Sequence, residues 1–131
     1  MNLTPNLRHT MRAVTQTAFG PAESLIISSK NIPSKPAHGD HVLIKVASTA
    51  LNRADLLMRQ GRYPNQGEQL LDLGLEVAGT DENGNSVMAL LKGGGYSEYV
   101  YAPKSQVMEV PKGMGLVEAA AIPEVWLTWE V

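Results

Sequence analysis

The sequence predicts a small, mainly β domain of barrel-like form, with one short helix and a helical C-terminal tail. Three observations predict it. Six or seven short runs alternate in polarity or carry β-branched residues, and Gly, Pro, Asn and Asp separate them. A single internal stretch, Asn52 to Gln60, has helix formers without β-branching. Beyond Gly113 the pattern turns helical. A length of 131 residues with 44% hydrophobic and 18% charged residues fits one globular domain with a buried core.

The elements follow in order. Met11 to Phe19 alternates loosely and stops at Gly20-Pro21, and Leu25 to Ser29 is a second short β run. Pro33, Pro36 and Gly39-Asp40 make an irregular connection to His41–Ala50, the strongest strand. There Val42, Ile44 and Val46 share one face, because strand side chains alternate. In Asn52 to Gln60, Asn52 suits an N-cap and Gly61 a C-terminal stop. Tyr63 to Gly67 is a loop. Leu73 to Gly79 reads as a strand, and Asn83-Gly84 signals a hairpin into Ser86–Leu91. Gly93-Gly94-Gly95 breaks that run before Tyr96–Tyr101, and Val107–Val110 is the last strand. Leu116 to Ile122 is helical, and Pro123 opens a second helical segment carrying Trp126 and Trp129.

Composition narrows the function classes. A formal net charge of −2 excludes a basic nucleic-acid footprint as the default. With no cysteine there is no disulfide framework, Cys-type zinc site or thiol nucleophile. No apolar run is long enough for a membrane-spanning helix. Arg8 and Arg12, with no acid before Glu23, are compatible with a mitochondrial presequence. A short flexible lead over residues 1–10 and a cytoplasmic location are the preferred expectation, since Pro5 interrupts any continuous helix there.

Three polar features invite chemistry. His38-Gly39-Asp40-His41 gathers two imidazoles and a carboxylate in one turn, but nothing elsewhere in the chain convincingly adds a further ligand, so a solvated turn is expected and no metal. Gly93-Gly94-Gly95 and Gly113-Met114-Gly115 each lack the third glycine of a dinucleotide loop, so turns are expected. Asn52 and Asp55, three apart on one helical face, with Tyr63 in the following loop, could hydrogen-bond a carbonyl or ribose group. Equally, Asn52 could cap the helix while Asp55 sits in its first turn. Glu76 stands inside an apolar run, where it must either face water or find a partner.

These residues resemble a known family. Ala50-Leu-Asn-Arg-Ala-Asp-Leu56 followed by Arg59-Gln-Gly-Arg-Tyr-Pro64 resembles the zinc-free quinone oxidoreductases of the medium-chain dehydrogenase/reductase superfamily. Leu73-Gly-Leu-Glu-Val-Ala-Gly79 is similar to that family's G-x-E-x-x-G stretch. The strand, glycine turn and strand from Val87 to Val100 resemble the family as well, as does Ala119 to Thr128. The nearest subgroup is the tumour-suppressor-inducible quinone oxidoreductases, near zeta-crystallin.

The resemblance implies a GroES-like β-barrel over residues 11–115, with 116–131 a helical tail leading toward a cofactor domain. It implies hydride transfer from NADPH to a quinone or small carbonyl substrate. Asn52, Asp55 and Tyr63 would line the catalytic cleft, and Thr128 would approach the nicotinamide. In zinc-dependent relatives a Cys stands at the place of Asn52 and a His at the place of Leu75. The resemblance stops after Thr128 with no Rossmann domain expected in these residues, and the stretch between Gly79 and Val87 is shorter than the family pattern. A truncated reductase without turnover of its own is therefore expected. The alternatives are a non-catalytic module that pairs with itself or a full-length relative, and a gene-model fragment. Neither nucleic acid nor membrane is expected as a partner.

Overall fold

A computed structural model of the chain describes residues 9–129, with side chains as far as residue 127. Residues 1–8 of the expected N-terminal extension, and 130–131 of the tail, lie outside the described residues. The strands are β1 (Thr10–Gln16), β2 (Leu25–Asn31), β3 (His41–Thr49), β4 (Glu76–Thr80), β5 (Ser86–Leu90), β6 (Tyr99–Pro103) and β7 (Val107–Glu109). The helices are α1 (Arg53–Arg59), α2 (Leu116–Ala119) and α3 (Pro123–Trp129). The fold is mainly β, as the sequence predicts.

Strands β1 and β2 form an antiparallel ribbon, and the others form a curled antiparallel sheet in the order β6-β3-β4-β5-β7. The sheet closes part of a barrel. Val42, Ile44 and Val46 of β3 pack into one core with Val77, Val87, Ala89, Val100 and Ala102. Their neighbours on the opposite face, Ala78 and Met88, pack under Ala119 and Ala120. Burial of β4 and β5 on both faces explains why their sequences are nearly continuous apolar runs. A third cluster joins Met58 of α1 to Leu73 and Leu75, with Leu25 and Tyr96 against it. Strand β3 carries a bulge between Val46 and Ser48. Ser48 Oγ donates to the Leu116 carbonyl at 2.5 Å, fastening α2 to the sheet.

Two expected strands begin later than the sequence suggests. Leu73 to Leu75 is irregular, because its backbone meets the Gly93–Gly95 turn: Tyr96 N–H donates to the Leu73 carbonyl at 3.2 Å and Gly95 N–H to the Gly74 carbonyl at 2.9 Å. Tyr96 to Glu98 likewise precedes β6 and crosses to the ribbon. Val14 N–H donates to the Tyr96 carbonyl at 2.8 Å, and Glu98 N–H to the Arg12 carbonyl at 3.1 Å. The hairpin at Asn83-Gly84 forms as expected and pairs β4 with β5.

Candidate functional site

Asn52 stands at the N-cap of α1 in extended conformation, as the sequence predicts. Its backbone N–H donates to Asp55 Oδ2 at 2.9 Å, so the carboxylate at the third helical position satisfies a donor that the helix leaves unpaired. Asp55 is 4% exposed and accepts two more bonds. Gly74 N–H reaches its Oδ1 at 2.9 Å, and the Tyr96 hydroxyl donates to its Oδ2 at 2.9 Å. In the reciprocal capping box the Asn52 side-chain oxygen faces the backbone N–H of Asp55, while its Nδ2 donates to Glu76 Oε1 at 2.8 Å. Glu76 Oε2 accepts the backbone N–H of Glu124 at 2.8 Å.

The network therefore joins α1, the start of β4, the glycine turn and α3. Glu76 is fully buried. Of the two alternatives open at Glu76, the structure shows the partnered one: both faces of β4 are covered, and its carboxylate meets two donors. A buried carboxylate needs such partners, because leaving it bare costs several kcal/mol, on the order of a lost buried ion pair.

The surroundings act on the neighbours. Burial raises the Tyr96 phenol above its ordinary range, and the Asp55 carboxylate that accepts its hydrogen bond, then the charge of Glu76, raises it further. Tyr96 is thus held as a neutral donor. Burial raises the Glu124 carboxyl too, with the charges of Glu76 and Asp55 adding to it.

Tyr63 stands apart. It is 37% exposed, and its backbone N–H turns to Gln66 Oε1 at 3.3 Å. Among the described residues no hydrogen bond ties it to Asn52 or Asp55. Thr128 lies in the last turn of α3, and its side chain lies outside the described residues. Tyr96 and Glu76 complete the network, and no pattern in the sequence pairs either with Asn52 or Asp55. The signal for Glu76 is its charge inside an apolar run. For Tyr96 there is no local signal, since its partner lies 41 residues away. Leu75 is buried among apolar side chains, and no group of His, Cys, Asp or Glu able to hold a metal occurs among the described residues.

Two cavities flank Tyr96. One of about 400 Å³ is lined by Lys30, Asp72, Tyr99 and Tyr101. The other, about 550 Å³, is lined by Leu25, Ile27, Val46, Thr49 and Leu51. Neither is built around the Asn52–Glu76 bond.

The glycine turn does not fit a dinucleotide phosphate. A Cβ on Gly74 would stand 2.5 Å from Tyr96 N and 2.7 Å from Gly95 Cα, and one on Gly95 would stand 2.8 Å from the Gly74 carbonyl oxygen. These glycines serve the contact between two turns of the chain itself.

The chain matches no family model. It is 34% identical over 128 residues to the synaptic vesicle membrane protein VAT-1 homolog-like of Mus musculus, covering 90% of this chain and 30% of that protein. It is 33% identical over 130 residues to the quinone oxidoreductase of Lama guanicoe, covering 90% of this chain and 39% of that enzyme. Among solved structures it is similar to the human VAT-1 homolog-like protein, with a TM-score of 0.85 at 31% identity, covering 93% of this chain and 42% of that one. It is also similar to the Thermus thermophilus quinone oxidoreductase, described with its NADPH complex, with a TM-score of 0.74 at 34% identity over 90% of this chain and 38% of that one. The chain thus spans well under half the length of these relatives. No helix among the described residues is long and apolar enough to cross a membrane. The homologues of this chain are thus VAT-1-like proteins and quinone oxidoreductases of the medium-chain dehydrogenase/reductase superfamily, and the chain matches their N-terminal GroES-like part.

Proposed function

We propose that the chain is the substrate-side part of a reductase whose reaction is hydride transfer from NADPH to a quinone or another small carbonyl compound. The observation that carries this reading is the buried Asn52–Asp55–Glu76–Tyr96 network at the start of α1, in a fold held in common with quinone oxidoreductases. Asn52, Asp55 and Tyr63 line the cleft in this reading, and Thr128 approaches the nicotinamide. The chain supplies orientation and hydrogen bonds at the substrate carbonyl, while the cofactor supplies the hydride. The described residues offer no cradle for the dinucleotide phosphates, so NADPH needs a nucleotide-binding unit beyond them. The cytoplasm is the compartment that suits this role.

The test is direct. The purified chain is mixed with NADPH and a quinone, and loss of NADPH absorbance is followed. The chain alone is expected to give no turnover. Fused after Trp129 to the nucleotide-binding domain of the Lama guanicoe enzyme, it is expected to oxidise NADPH only when quinone is present. A soluble, folded fusion that binds NADPH but reduces no quinone would refute the reading.

A second reading has a specific observation behind it. Val117, Val125 and Trp126 are 78%, 59% and 65% exposed. Large exposed apolar groups on α2 and α3 suit a partner, and a non-catalytic module that pairs with a full-length relative would cover them. Size-exclusion chromatography of the chain with and without such a relative separates the two readings: a monomer that ignores the relative speaks against pairing.

A further inference from the structure

Glu76 is fully buried, yet it makes no ion pair among the described residues. Its two carboxylate oxygens serve two different elements. Oε1 takes the Asn52 amide, 24 residues away, and Oε2 takes the Glu124 N–H, 48 residues away. Its own backbone cannot shift easily. Glu76 pairs with Leu90 in β5, its carbonyl accepts from Thr49 Oγ1 at 2.7 Å, and the preceding Leu75 carbonyl accepts from Leu91 N–H at 2.7 Å.

The chemistry of the two ends explains why a carboxylate stands here. Helix α3 begins with Pro123, which has no N–H, so Glu124 carries the first amide that needs an acceptor. A side-chain amide can present either its oxygen or its nitrogen, and in the capping box the Asn52 oxygen faces the Asp55 N–H, which leaves its nitrogen for Glu76. An ionised carboxylate only accepts. It therefore reinforces the orientation the capping box sets, with the Asn52 nitrogen toward Glu76, and caps α3 with its second oxygen. A glutamine at position 76 would offer one acceptor and one donor, and it could not satisfy both neighbours as they stand.

We propose that Glu76 is a positioning residue that holds Asn52 and the first turn of α3 as one unit, so that the orientation of the Asn52 amide and the seating of α3 change together. Its consequence for catalysis rests on Asn52 lining the substrate cleft. The clasp itself does not, and it is tested without turnover.

The experiment is heteronuclear NMR with hydrogen exchange on the full chain. It follows the Asn52 side-chain NH2 signals and the Glu124 backbone amide. In Glu76→Gln, the Asn52 side-chain resonances are expected to move, as the amide reverses to meet the new donor or loses its partner. Asn52→Ala keeps the carboxylate and provides the second arm. There the Glu124 amide is expected to shift and to exchange several-fold faster, although the substitution lies 72 residues away and on another element. Asn52 signals unchanged in Glu76→Gln, or Glu124 exchange unchanged in Asn52→Ala, would overturn the proposal. If the clasp is found and the fusion enzyme still reduces no quinone, the functional reading fails alone.

Discussion

Asp55 and Asp81 each accept three hydrogen bonds on their carboxylates, in opposite surroundings. Asp55 is 4% exposed and takes Asn52 N–H, Gly74 N–H and the Tyr96 hydroxyl. Asp81 sits in the hairpin turn, beside residues 82–86 that are all exposed, and takes Asn83 N–H, Asn85 N–H and Asn85 Nδ2. The inventory is the same and the energetics differ. At Asp81 water replaces any lost bond. At Asp55 the donors come from three separate segments, and each would be left unpaired in the interior.

The comparison can be broken at its strong end first. Asp55→Ala is expected to cost on the order of 3 kcal/mol in urea unfolding, because it strands buried donors. A cost below about 1 kcal/mol would mean that water reaches them. Tyr96→Phe should cost about 1 kcal/mol, since two N–H donors remain on Asp55. The same variant carries a pH signature. The folded state holds the Tyr96 proton above the ordinary phenol value of 10.0. The unfolded chain therefore ionises first as pH rises past that value, and stability falls. Thermal melts in alkaline buffer should show this decline in the parent chain and a smaller one in Tyr96→Phe.

Next comes Lys30, which joins β2 to Asp72 at 2.9 Å with side chains 37% and 58% exposed. Lys30→Ala should cost about 0.5 kcal/mol and lose most of that in high salt. Asp81→Asn should have the smallest effect at neutral pH. Hydrogen bonds from the Asn85 side chain and backbone, then from the Asn83 N–H, hold the Asp81 carboxyl below its usual 3.8. Its contribution is present above that value and disappears as pH falls through the lower folded one. Acid melts of the variant should lack that increment. If Asp81→Asn proved as damaging as Asp55→Ala, burial would not be the deciding difference.

Much of this is legible in the residues. The N-cap at Asn52, the hairpin at Asn83-Gly84 and the inward face Val42–Ile44–Val46 are local patterns, with partners a few residues away or set by a strand period. What escapes is non-local. Leu73 to Leu75 looks like strand, and only the approach of the Gly93–Gly95 turn keeps it irregular. Tyr96 looks like the start of β6, but its carbonyl belongs to β1 and its hydroxyl to α1. Spacing groups Asn52 with Asp55, and the structure joins them in the cap, but it also sends the Asn52 amide to Glu76 on another element, which spacing does not show. Tyr63 joins that set only by following in the next loop, and it stands outside the network.

The contact of Gly74 with Gly95 has a consequence for how this chain can vary. Gly74 holds φ +97°, and an added methyl group would run into the backbone on the opposite side, not into a side chain that could swing away. At that crossing the chain has no spare volume to trade, so compensation by shrinking a neighbour is closed to it. Across any set of sequences with this fold, substitutions should scatter over the exposed hairpin and leave these two positions blank, marking the crossing of two turns as a fixed point about which the rest can drift.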